Sequence, residues 1–129
     1  MNIRGICYFL SLSCYPVTFL SFFNILYSSY FDHYLNFNSY ILTLVISFLF
    51  GIVFFYFSRN SEKNIKFYEK LILICLVYFF VSLLISIPYY FSNYQLSFID
   101  SFFESVSGLT TTGFTVFYNV KFLDPTLII

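Results

Sequence analysis

From residue 6 to about residue 30 the chain is apolar, interrupted only by Pro16, Asn24 and scattered hydroxyl side chains. A hydrocarbon core takes roughly 20 helical residues to cross, so this run predicts a first transmembrane helix. Pro16 is a candidate kink, because proline removes one hydrogen bond from the helix ladder. Arg4 ahead of an apolar run is also how a secretory leader begins. The run continues past leader length, however, and no Ala-x-Ala-like site follows it, so a retained helix is expected.

A polar stretch over residues 32–39 gives way to a second uncharged run, residues 40–57, which holds Gly51. Residues 58–70 then gather Arg59, Lys63, Lys66 and Lys70 against Glu62 and Glu69. Residues 71–90 form a third apolar run that ends around Pro88, with a Tyr89-Tyr90-Phe91 cluster of the kind enriched at membrane interfaces. Basic loops stay on the cytoplasmic side. The expected orientation is therefore amino terminus in, residues 32–39 out, residues 58–70 in and residues 92–97 out.

The next segment, residues 96–109, is too short to span and contains Asp100 and Glu104. Its order is nevertheless helical. At roughly 100° per residue, Ser97, Asp100, Ser101, Glu104, Ser105 and Gly108 gather on one arc. Phe98, Ile99, Phe102, Phe103, Val106 and Leu109 gather on the other. Two placements suit such a helix. A surface-lying helix usually carries Lys or Arg on its polar face, and this one has neither. A re-entrant pore helix continues into non-helical backbone, which is tolerated at membrane depth when it is buried in protein or lines water.

The residues that follow, Thr110, Thr111, Thr112 and Gly113, suit the second placement. A filter that strips water from a monovalent cation needs a ring of oxygen ligands, supplied by backbone carbonyls with help from threonine hydroxyls. Glycine permits the unusual dihedrals of such a turn, and a helix C-terminus aimed at the pore adds partial negative charge. At the other end of the helix Ser97 is a candidate N-cap, and Asp100 complements the positive end of the dipole. Glu104 is costlier to bury; its carboxylate is expected to be hydrogen-bonded or hydrated, as a brace for the loop in preference to a direct cation ligand.

Composition sharpens the class. Of 129 residues, 21 are Phe and 13 Tyr, with six Lys plus Arg against six Asp plus Glu. That balance belongs to a chain solvated by lipid. The net charge is zero and no basic stripe exists, which sets nucleic acid aside as a partner. Cys7, Cys14 and Cys75 lie in apolar runs without CxxC spacing, so neither a zinc site nor a disulfide framework is expected. The lone His33 sits in a polar loop. No HExxH, no serine with a nearby histidine and no pair of intramembrane aspartates points to an enzyme, and no cofactor is expected.

The string from Asp100 to Thr115, DSFFESVSGLTTTGFT, resembles the first pore helix and filter of the Trk/Ktr potassium-transporter family. TrkH-type members share an acidic, Phe-rich helix running into Ser-x-Leu-Thr-Thr-Thr-Gly. The preceding basic loop and the apolar helix ending near Pro88 are similar in placement. The resemblance implies an all-α membrane protein: three transmembrane helices, then a re-entrant pore helix and a filter loop, a partial Trk/Ktr fold. Residues 1–60 would form an N-terminal hairpin. Residues 61–129 would form an incomplete first pore repeat, with a helix over 71–90, the pore helix over 97–109, the filter over 110–114 and the start of the next helix at 124–129.

By the same resemblance, Thr111, Thr112, Gly113 and Phe114 would donate carbonyls, with Thr110 at the inner entrance and potassium held at Thr111 and Thr112. Ser97, Asp100 and Glu104 would support the pore helix. Family members fuse four such repeats around one filter, and here the sequence reaches Ile129 just as Asp124 and Pro125 open the next helix. The implied function is thus a partial potassium transporter subunit in a cell inner membrane, its amino terminus cytoplasmic. Its implied partners are lipid, the remaining repeats from another chain, and a cytosolic nucleotide-binding regulatory subunit. The alternatives are a truncated, inactive remnant of such a transporter and a small membrane scaffold that docks through Phe98, Phe102, Val106 and Leu109.

Overall fold

The computed structural model describes residues 3–31, 36–59 and 66–117, together with residues 123 and 127. Among them lie four helices and no strand: α1 (Ile3–Tyr30), α2 (Phe37–Ser58), α3 (Phe67–Tyr90) and α4 (Phe98–Leu109). The first three, of 28, 22 and 24 residues, are each long and apolar enough to cross a membrane. At about 1.5 Å per residue they measure roughly 42, 33 and 36 Å, against a hydrocarbon core of about 30 Å. The all-helical membrane fold expected from the sequence is present.

Each of these helices starts three or four residues before the apolar run that signals it. For α3 the cause is visible. The backbone N–H of Lys66 donates to the carboxylate of Glu69 at 2.9 Å, satisfying a donor at the helix start. Glu69, expected in a solvated loop, is instead buried. The charges Glu62 and Lys63 and the polar Asp32 and His33 lie outside the described residues. The α1 helix continues through Pro16.

The packing inverts the rule for water-soluble bundles. Lipid is as apolar as leucine, so helices associate through close contact of small residues and interhelical hydrogen bonds. Accordingly the best-buried side chains include Ser11, Cys14, Thr43, Ser47, Ser82 and Ser86, while Phe19, Phe57 and Phe79 point outward. A Cβ placed on Gly51 would sit 3.4 Å from that of Cys14, and one turn further along α1 the Thr18 hydroxyl meets that of Ser47 at 3.1 Å. As the contact moves forward on α1 it moves backward on α2, so the pair is antiparallel. Buried serines return their protons to their own helices, as Ser11 does to Tyr8 O at 2.6 Å and Ser86 to Leu83 O at 2.7 Å. The third helix joins through Phe80, whose ring lies edge-on to Phe50 and Phe54.

The two connections at one end of the bundle are tied together: the backbone N–H of Asn93 donates to Asn36 Oδ1 at 3.3 Å. Between Tyr90 and Phe98 the chain reverses, with Gln95 in the left-handed region at φ 51°. As a result α4 folds back along α3. Its Phe98 ring lies by Tyr90 and its Phe102 ring by Phe79, further from the end of α3.

Candidate functional site

Ser97 caps α4 as the sequence suggests. Its hydroxyl oxygen accepts from the backbone N–H of Asp100 at 3.2 Å and donates to that residue's carboxylate at 2.7 Å. Asp100 is thereby committed to the helix start. At the opposite end, Leu109 packs against a buried cluster of Cys14 and Val17 from α1 with Val81 and Leu84 from α3. Cys14 and Val17 lie midway along α1. The loop that follows α4 therefore begins in the middle of the bundle.

The face that α4 turns inward is the polar one. Ser101, Glu104, Ser105 and Ser107 are buried, whereas Phe98, Ile99 and Phe103 are 55%, 77% and 46% exposed. A helix with its serines inside and its phenylalanines outside is built for lipid or for further protein around it, not for water.

Three hydrogen-bonding threonines finish the helix. The Thr110 N–H and hydroxyl both donate to Val106 O, at 2.9 and 2.7 Å. The Thr111 N–H reaches Gly108 O, and the Thr112 N–H reaches Ser107 O, both at 3.1 Å. These bonds absorb the carbonyls that a helix C-terminus leaves unpaired. Thr111 and Gly113 then take left-handed backbone angles, φ 57° and 73°, on either side of Thr112. A β-branched residue in that region is a genuine outlier. Among the described residues no donor reaches the carbonyl oxygens of Thr111, Thr112 and Gly113, which lie exposed. Nothing lies within 4 Å of a Cβ built on Gly113. Phe114 differs from its neighbours, since its carbonyl accepts the Ser107 hydroxyl at 2.6 Å.

The chain then returns the way it came. The Thr115 hydroxyl donates to Glu104 Oε1 at 2.6 Å, and the backbone N–H of Val116 donates to the same oxygen. Phe117 closes the path with its ring 5.9 Å from that of Tyr94, back beside the start of α4. Glu104 thus fastens the outgoing strand of the loop to the incoming helix. A helix expected from Asp124 onward falls on residues outside the description except for Leu127, whose carbonyl accepts from Tyr89 Oη at 3.1 Å.

Sequence reasoning did not single out Ser107. On the helical projection it falls at the margin of the polar arc, roughly 20° beyond Asp100 at about 100° per residue. Its contacts with Thr112 and Phe114 depend on how the loop returns, which periodicity does not encode. Chemically, the arrangement offers a row of uncommitted carbonyl oxygens at mid-bundle depth, with a helix C-terminus behind them. That is an environment for a cation.

The chain is similar to an uncharacterized cation transporter of Methanocaldococcus jannaschii, with 31% identity over 96 residues that make up 74% of this chain and 20% of that protein. It is also similar to the Trk system potassium uptake protein TrkG of Escherichia coli, with 35% identity over 83 residues, 64% of this chain and 17% of that protein. The chain spans about a fifth of the length of these curated relatives. No family model matches it. No solved structure matches it.

Proposed function

We propose, from the premise that this is a multi-pass membrane protein with cation-transporter and potassium-uptake homologues, that it contributes one of four filter segments to a potassium pathway. The observation that carries the reading is the course of residues 98–117. The chain descends along α3 to Leu109 at mid-bundle, exposes the carbonyls of Thr111, Thr112 and Gly113, and returns to Tyr94 at its starting end. Placed in a bilayer, that course is a re-entrant loop, with α4 as pore helix and residues 110–114 as filter. Potassium lies against the oxygens of Thr111 and Thr112, with Gly113 free to turn its carbonyl to the same side. Thr110 stands at the inner entrance, and Phe114 is the outermost member, steadied by Ser107.

The remaining filter segments come from other repeats, which would also cover the exposed Phe98, Ile99 and Phe103. The basic residues Arg4, Arg59 and Lys66 favour the cytoplasm for the end of the bundle opposite Asn36 and Asn93. The membrane is then the cell inner membrane, with a cytosolic nucleotide-binding subunit as a further partner on the basic side.

The test is a chimera. Residues 67–117 replace the matching segment of TrkG, and growth on limiting potassium is measured in a strain without its own uptake systems. Rescue that disappears with Gly113→Val supports the filter assignment. Rescue that survives Gly113→Val overturns it and leaves a scaffold role for the Phe98 face.

A further inference from the structure

Behind the loop, between α1, α2, α3 and α4, lies a cavity of about 420 Å³. We propose that this cavity binds a hydrated alkali cation at a site separate from the filter, with Glu104 as its counter-charge. The inference goes beyond the filter reading and does not depend on it. It requires only that the bundle sits in a membrane.

The two carboxylate oxygens of Glu104 are unequally engaged. Oε1 accepts from Thr115 and Val116, while among the described residues no donor reaches Oε2. The side chain is 9% exposed and lines the cavity. No lysine, arginine or histidine is among the lining residues. A buried carboxylate favours a partner for its charge, and no cationic side chain lines this cavity to serve as one.

The other polar groups on the wall supply what an alkali cation takes. Ser21 and Asn24 project from α1, Thr43 from α2 and Tyr89 from α3, beside Ser105 of α4. All are oxygen ligands, with no sulfur or imidazole among them, the donor set of a hard cation. Ser21 is 5% exposed, and no hydrogen-bond partner for its hydroxyl is found among the described residues. The volume far exceeds the roughly 30 Å³ that one water takes in the liquid, so the ion keeps part of its hydration shell. One carboxylate balances a single positive charge, which favours a monovalent over a divalent ion.

The full chain in nanodiscs of zwitterionic lipid would be unfolded thermally in sodium, potassium or N-methylglucamine chloride at equal ionic strength. The expected result is a saturable rise of the midpoint with sodium or potassium and none with N-methylglucamine, as ligand linkage requires. Glu104→Gln keeps an acceptor for Thr115 and Val116 but removes the charge, and it should abolish the rise. Asn24→Leu, which leaves every residue of the 110–114 loop unchanged, should raise the half-saturating concentration on the order of tenfold, a loss of about 1.4 kcal/mol. Circular dichroism establishes that each variant is helical before its titration is read. A flat response in the parent chain, or a rise that survives both substitutions, overturns the proposal. If the TrkG chimera transports while the parent titration is flat, this inference fails and the filter assignment stands.

Discussion

Ser107 and Phe114 are joined by a 2.6 Å hydrogen bond from the serine hydroxyl to the phenylalanine carbonyl, across the left-handed turn that contains Thr111 and Gly113. The same hydroxyl lies 3.1 Å from Thr112 Oγ1. One buried side chain therefore contacts both limbs of the loop. Ser107→Ala should leave the Phe114 carbonyl without its donor, while Thr112 Oγ1 keeps its bond to Ser107 O, costing about 1–3 kcal/mol of local stability. Ser105→Ala is the control, because among the described residues Ser105 bonds only within its own helix, to Phe102 O. Hydrogen exchange at residues 112–116 should accelerate in the first variant and not in the second.

Glu104 acts through its acceptor oxygen as well as its charge. Glu104→Gln should retain the bonds from Thr115 and Val116, whereas Glu104→Leu removes both and should cost about 1.5–3 kcal/mol. Limited proteolysis at residues 115–117 provides the comparison. Equal protection in the Gln and Leu variants would show that the brace contributes nothing.

At Gly113 the obstacle is backbone conformation, not space, since a Cβ there meets nothing within 4 Å. Gly113→Ala should cost about 1–2 kcal/mol from the left-handed φ alone. Gly113→Val, β-branched, should cost more and end potassium-dependent growth in the TrkG chimera without lowering helix content. Loss of helix content in the valine variant would locate the defect in folding.

The α1–α2 contact makes a graded prediction. Gly51→Ala places its Cβ 3.4 Å from Cys14, an ordinary contact, and should be tolerated. Gly51→Leu has no room and should separate the helices at a cost of about 1–3 kcal/mol. Crosslinking between cysteines introduced at Thr18 and Ser47, 3.1 Å apart through their hydroxyls, should form in the alanine background and fall away in the leucine one.

Much of this architecture is legible in the sequence because membrane solvation imposes a simple code. An uncharged run near 20 residues has few alternatives to a spanning helix, so α1, α2 and α3 are found from hydropathy alone. The Ser97 cap is legible because it is local, a hydroxyl three residues before an amide it can reach. The limits of the code are equally physical. The sequence separates the two arcs of α4 but does not say which one faces inward, since a polar arc can face water or a protein interior. The hydroxyl of Ser107 and the carboxylate of Glu104 find partners seven to twelve residues away only after the loop has turned back. The cavity combines side chains from four helices, and Asn24 reads in the sequence as no more than an interruption in an apolar run.

The inverted polarity of α4 also constrains the order of biogenesis. With serines and a carboxylate on one face, this helix has no favourable path into lipid by itself, and its polar side finds partners only after α1, α2 and α3 have assembled a seat for it. On the re-entrant reading proposed above, the loop would wait at the bilayer surface while the hairpin and third helix insert, then enter as a passenger on a finished scaffold. A nascent chain extended by a linker so that residue 117 has cleared the ribosome should show a cysteine at Ser105 open to aqueous alkylation first and shielded later, and removing α1 should leave it open throughout.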